Sequence, residues 1–198
     1  MSAPRQEPSL STRFEAWWLT WKAKMAIVLN QKALALSFFD DVLRLIPDSA
    51  HAAASRAFLL AEMGRHAEAV AQLEQLLARQ PEEASSWFNL GYLLDLAGDD
   101  QRAFDAFEKA VRLNAQLDRA HYGLALSAIK LGKTDTAIAA LRQNTQLQPM
   151  SPHGWYQLAM VHFKQKEFSE TSRIIRHLSG FEPKVAEQLR RETGLSDA

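Results

Sequence analysis

The stretch Trp87-Phe88-Asn89-Leu90-Gly91-Tyr92-Leu93-Leu94, followed by Gly98 and then by Ala103-Phe104-Asp105-Ala106-Phe107, encodes two amphipathic helices in succession. Trp87, Leu90, Gly91 and Leu94 fall on one side of a 3.6-residue helix. Gly98 supplies the stop, because glycine accepts the left-handed conformation that closes many helices. Ala103, Phe107 and Ala110 then share one face of the second helix. Outward from this pair, the same marks return every 34 residues: Pro47, Pro81, Pro149 and Pro183 form one ladder, with Ala115 on its missing rung. Gly64, Gly98 and Gly132 form a second ladder, and Ala35, Ala69, Ala103, Ala137 and Thr171 a third. Trp87 and Trp155 stand two periods apart with His121 between them. One period shared by unrelated residue types means a repeated structural unit. Small residues (Gly91, Ala125 and Ala159 in first helices, Ala103 and Ala137 in second ones) predict helix axes in close approach. Proline at the end of a period cannot extend a helix interior and separates one unit from the next.

The pattern Trp87-x2-Leu90-Gly91-x2-Leu94 with Ala103-x3-Phe107 resembles the signature of the tetratricopeptide repeat, with Leu94 in place of Tyr and Ala115 in place of Pro. The resemblance implies an all-α fold: a right-handed α-solenoid of about five helix-turn-helix repeats, 16–49, 50–83, 84–117, 118–151 and 152–185, with a C-terminal capping helix over 183–193. A single domain is expected over 13–194, between a disordered N-terminal tail over 1–12 and a frayed tail over 195–198. The first repeat diverges, with Asn30 where Gly is expected. Thr12-x-x-Glu15 reads as a capping box that opens its first helix. A proline-anchored register puts Lys22 in a packing position. Sliding the helix by one residue puts Trp18, Trp21 and Met25 there instead, and that register is the one expected.

Composition narrows the function. Lys plus Arg and Asp plus Glu both total 23, so the formal net charge is zero. Binding nucleic acid or anionic lipid chiefly through charge requires a basic excess, so no nucleic-acid partner is expected. The chain has no cysteine, which excludes disulfides, thiolate zinc sites and catalytic thiols. Its most apolar segment, 14–29, is interrupted by Glu15, Lys22 and Lys24, so no membrane span is expected. The N-terminus does not read as a secretory signal, and a cytoplasmic location is expected.

Catalytic chemistry finds no foothold. None of the six histidines forms an HExxH motif or an i, i+4 pair with another. His121 occupies a tryptophan packing position, and His51 and His153 read as polar rim. There is neither a glycine-rich phosphate loop nor a GxSxG turn. Glu82-Glu83 and Asp99-Asp100 fall near helix N-termini, where acidic side chains suit the dipole. No catalytic, cofactor-binding or metal-binding residues are assigned, no cofactor is expected, and the chain is not read as an enzyme.

Counted from the first residue of each repeat, slots four, seven, eight and eleven of the first helix cluster in one direction. Slots two, five, nine, twelve and thirteen point the opposite way. The resemblance implies that the latter line a concave groove for a partner peptide or helix. They hold Phe58 with His51 and Glu62; Phe88 and Tyr92 with Asp95, and Asn89 beside them; Arg119, Tyr122, Leu126 and Lys130; then His153, Tyr156, Met160, Phe163 and Lys164. All three tyrosines of the chain are among them. Aromatic, Met and Arg side chains are the types that dominate binding energy. The expected function is a non-enzymatic protein–protein interaction adaptor or scaffold. Some relatives clamp a partner's C-terminal carboxylates with Lys, Asn, Asn, Lys and Arg. Only Asn89 and Arg119 match that layout, against Ala54, Phe58 and Gly123 elsewhere, so such a clamp is not expected. Asn89 reads either as a donor to a partner's backbone or as a solvated side chain. The alternative function is an oligomerising subunit of a larger assembly. It would use the first helix, where Phe14, Trp17, Trp18 and Trp21 form either a second interface or an end cap.

Overall fold

The computed structural model describes residues 8–195. Among them are eleven α-helices and no strand: α1 (Leu10–Val28), α2 (Lys32–Leu45), α3 (Ala50–Glu62), α4 (His66–Arg79), α5 (Ala84–Leu96), α6 (Asp100–Leu113), α7 (Asp118–Lys130), α8 (Thr134–Leu147), α9 (Pro152–Lys164), α10 (Phe168–Ser179) and α11 (Pro183–Thr193). The chain divides into two compact units that meet in sequence between Ala97 and Gly98. In the first, α1 packs on α2, α2 on α3, α3 on α4, and α5 on both α3 and α4. In the second, each helix from α6 to α11 packs on the next, and α11 also reaches α9.

The ladders of the sequence become structural positions. Gly64, Gly98 and Gly132 have φ of 77, 80 and 69°, and Asn30 (56°) and Lys166 (62°) supply the same left-handed turn one period before and after them. Each turns the chain from the first helix of a repeat into the second. Ala35, Ala69, Ala103, Ala137 and Thr171 are fully buried, as are Ala23, Ala57, Ala125 and Ala159 on the facing first helices. A larger side chain at either place would push the axes apart. Helix starts are capped by side chains: at the repeat boundaries Ser49 accepts from Ala52 N and Glu83 from Ser86 N, and inside a repeat Asp99 accepts from Arg102 N.

The N-terminal helix differs from expectation in two ways. It opens at Leu10, with the Ser9 hydroxyl accepting from Thr12 N at 3.1 Å, so Thr12 lies in the first turn and is not the cap. Nor does the slid register hold. Ala16, Ala23 and Ala26 make the buried face, while Trp18, Trp21 and Met25 are exposed. The proline-anchored register is correct because Lys22 does not need burial of its charge. Its amine lies 5.6 Å from the Trp18 ring and 5.7 Å from the Phe38 ring, where the aromatic faces attract the cation. At the other end, α11 runs from Pro183 to Thr193, with the proline at its first position, where the missing N–H has no helical partner to lose. The disordered tail expected over 1–12 is cut short, because the Ser9 cap starts α1 at Leu10; residues 1–7 and 196–198 lie outside those described.

Candidate protein-binding surface

The outward slots of the first helices carry the candidate residues in both units. In the first unit Phe58 on α3 and Tyr92 on α5 are exposed, and Phe88 and Asn89 on α5 are half-buried. Because α3 and α5 are neighbours, these side chains belong to one side of the unit. Their helices are held from behind by Leu59, Leu60, Leu90 and Leu94, all buried.

The second unit assembles a defined cleft. Tyr122 on α7 and Tyr156 on α9 line a hollow of about 350 Å³ with Pro152, His153, Gln157, and Val185 and Gln188 of α11. Neither tyrosine is sealed in the core; both are half-buried, as are Leu126, Met160 and Phe163, while Arg119 is exposed. Tyr156 is fixed at its tip, since its hydroxyl donates to Glu192 Oε2 at 2.6 Å. That bond pushes the Tyr156 phenol above its ordinary range and holds the Glu192 carboxyl below its own, with Gln188 donating to Glu192 as well. Phe163 leans on Phe168 of α10, ring centres 5.8 Å apart, so it marks the far end of this face rather than the cleft. Lys130 is engaged with Asp100 at 2.9 Å and is not a loose groove cation.

Two features escaped the sequence reading. The first is the part α11 plays beyond the capping role expected of it. Ala186 and Leu189 anchor it with no exposure, and its other side forms a wall of the cleft. The Tyr156–Glu192 pairing spans 36 residues, and no local pattern signals it. The second is the joint between repeats. Slots three and ten of every later first helix are buried: Ala52 and Leu59, Ser86 and Leu93, Ala120 and Ser127, Gly154 and Val161. A Cβ on Gly154 would collide with Asn144 Oδ1 and come within 3.1 Å of Thr145, both on α8. At slot six, a Cβ on Gly123 would meet the Phe107 ring at 2.6 Å. Glycine at 123, one of the departures from the carboxylate clamp, therefore has a packing cause. The recurrence of small residues at slot three was the available signal.

A second hollow, of about 360 Å³, lies among α8, α9 and α10 and is lined by Arg142, Trp155, His162, Arg173 and His177 among others. Trp155 and His177 meet there at a tilt of 56° with ring centres 4.4 Å apart, and Glu170 pairs with Arg173. Among the described residues no cluster of three or more His, Asp or Glu side chains could hold a metal ion, and no helix is long and apolar enough to cross a membrane.

Comparison with known proteins agrees with this architecture. The sequence matches the tetratricopeptide repeat family over residues 52–118 and 122–170. It is 29% identical over 140 residues to Protein FlbA of Caulobacter vibrioides, an alignment that takes in 71% of this chain and 23% of that protein. This chain thus spans less than a quarter of that relative's length. Among solved structures it is similar to MamA (TM-score 0.73, 16% identity, 92% of this chain and 97% of that one). It is likewise similar to the type IV pilus biogenesis factor PilW (0.74, 17%, 92% and 87%). A third likeness is to YrrB, described as a repeat protein of this kind with an unusual peptide-binding site (0.71, 18%, 87% and 90%). At these identities the structural likenesses speak for the fold alone.

Proposed function

We propose, from the premise that this chain belongs to the tetratricopeptide-repeat family, that it is a non-enzymatic adaptor whose second unit holds a segment of a partner protein in the Tyr122–Tyr156 cleft. The observation that carries this reading is the cleft itself. Two tyrosines from successive first helices stand half-open beside the apolar Val185 and the polar Gln157 and Gln188. Such a mixture suits an apolar side chain flanked by peptide backbone, with Tyr giving contact area at low entropic cost. The exposed Phe58 and Tyr92 of the first unit offer further anchors of the same chemistry. YrrB, with its peptide-binding site, supports the class of ligand. A cytoplasmic setting and a protein partner, without nucleic acid, are parts of the same proposal, the latter resting on the balanced charge.

The test is selection of peptides from a random library on the immobilised chain, followed by calorimetric titration of the selected peptides. Peptides bound by the wild type and lost with Tyr122→Ala support the proposal. Selected peptides that bind that variant equally well overturn it.

A further inference from the structure

Slots three, six and ten of α1 are Trp18, Trp21 and Met25. In the four first helices that follow, slot three holds Ala52, Ser86, Ala120 or Gly154, each buried, and each helix packs on the second helix before it. At Gly154 that joint leaves no room even for a Cβ. A tryptophan at slot three therefore bars another helical hairpin from docking on α1 in the manner the repeats dock on one another. What α1 presents instead is a broad apolar face. Trp18 and Trp21 lie stacked, 5.0 Å apart and within 6° of parallel. Trp17 and Phe14 continue the row, at 6.4 Å from Trp18 to Trp17 and 5.8 Å from Trp17 to Phe14. Exposure is 68% at Phe14, 59% at Trp17, 42% at Trp18, 46% at Trp21 and 40% at Met25.

The order of these residues selects the occupant. In antiparallel helices, side chains meet where their positions sum to a constant. About a midpoint between residues 17 and 18, Leu10 falls opposite Met25, Phe14 opposite Trp21, and Trp17 opposite Trp18, so the apolar row is its own complement. We infer that this face is a two-fold interface that pairs α1 with the α1 of a second copy of this chain. Such an interface is isologous and closes at two subunits. Its size is sufficient. At roughly 150–250 Å² per aromatic side chain, the four rings leave on the order of 450 Å² open. With Leu10, Met25 and Val28 the face reaches the ~800 Å² per partner of a standard interface. The interface uses none of the cleft residues and stands independently of the peptide-binding proposal.

Sedimentation velocity of the full chain, from low to high micromolar concentration, is the primary test. The expected result is a species of twice the 22.3 kDa chain mass. The double variant Trp18→Ala, Trp21→Ala is expected to remain at the single-chain mass with an unchanged helical circular dichroism spectrum, since both rings are exposed. Tyr122→Ala is expected to leave the dimer intact, which separates this interface from the cleft. Because the chain has no cysteine, Trp17→Cys places one thiol beside the two-fold axis and should yield a covalent dimer on mild oxidation. Ser169→Cys on α10 should not. A wild-type chain that stays single at every concentration, or a dimer that survives the double tryptophan variant, overturns the inference. A dimer that fails to cross-link through position 17 overturns the antiparallel arrangement.

Discussion

The Nε2 of His121 lies 3.0 Å from the carbonyl oxygen of Ala115, six residues earlier, and this reproduces a bond made by tryptophan on either side of it. Trp87 Nε1 donates to Pro81 O at 2.8 Å, and Trp155 Nε1 to Pro149 O at 2.9 Å. The fourth slot of the repeat thus ties the first helix to the loop that precedes it. Histidine substitutes for tryptophan at 121 because both rings carry an N–H at the reach that bond needs. Trp87 and Trp155 are half-buried and the smaller His121 is buried, so the bond is kept at either depth.

Trp87→Phe keeps most of the ring and deletes the bond. It is expected to lower stability by about 1 kcal/mol, the usual net worth of one hydrogen bond. Trp87→Ala should cost more, roughly 2–3 kcal/mol, yet stay below the full price of emptying a core site. Urea midpoints of the two variants would settle the matter. Equal losses for both would mean that the ring's packing contributes nothing.

At Lys166 a side chain occupies a left-handed turn, φ 62°, that glycine fills at three of the five rungs. For an L-residue with a Cβ that conformation costs roughly 1–2 kcal/mol. Lys166→Gly is expected to stabilise the protein by about 1 kcal/mol, the greater flexibility of the unfolded glycine offsetting part of the gain. Asn30→Gly should gain less, because asparagine tolerates this region. Thermal melts of the pair would show the order; a destabilised Lys166→Gly would contradict the strain argument.

The sequence carried the repeat because its marks are local. Glycine at the turn, alanine at the closest helix approach and proline in the loop each answer a constraint felt within a few residues. The starts of α3, α5, α7 and α9, at residues 50, 84, 118 and 152, follow from the ladders alone. Misreading came where no neighbouring repeat disciplines the pattern. On α1 residue type alone points Trp18, Trp21 and Met25 inward, although the three alanines 16, 23 and 26 fill the buried face. The cleft was half legible: Tyr122 and Tyr156 follow from slot arithmetic, but its third wall comes from α11, whose Pro183 keeps the 34-residue ladder yet stands inside the helix instead of three residues ahead of it. Position 183 is three residues short of the next 34-residue step after the start of α9.

Gly154→Ala tests the joint between repeats. The added Cβ would collide with Asn144 Oδ1, and Asn144 is itself held by its amide donating to Asp118 O at 3.0 Å. Relief requires breaking that bond or moving α9, an overpacking cost of about 1–3 kcal/mol. Equilibrium unfolding should show that loss. A variant as stable as the wild type would mean that the joint yields freely.

The Tyr156–Glu192 bond makes the docking of α11 depend on pH, and the sign follows from the two shifts. Glu192 is held below its ordinary value of 4.5, first by the tyrosine bond and then by Gln188. Its contribution is therefore present above pH 4.5 and lost as pH falls through the folded-state value. Tyr156 is raised above 10.0, first by the same bond and then by burial, so its contribution holds below that pH and fades as pH rises through the folded-state value. Hydrogen exchange of the α11 amides should show protection that is flat at neutral pH and weaker below pH 4.5. Tyr156→Phe should abolish much of that acid loss; an identical acid limb in the variant would remove the bond as its cause.

Tyr122→Ala bears most directly on function, because it separates the cleft from the scaffold. Tyr122 occupies slot five of α7 and is half-buried, whereas the packing of α7 rests on Ala120, His121, Leu124, Ala125 and Ala128, all buried. Removing the phenol ring therefore opens the cleft without emptying a core position, and the melting temperature should fall by only a few degrees. A peptide anchored against that ring should lose about 1–2 kcal/mol or more of binding free energy, a factor of ten or thereabouts in Kd. Arg119, exposed on the same helix one turn earlier, should instead alter the salt dependence of binding when replaced by Ala. The two variants thus make different demands on one ligand: the ring sets how tightly it stays, the guanidinium how it approaches. Loss of affinity at Arg119→Ala without loss at Tyr122→Ala would move the binding site out of the cleft and onto the open face of α7.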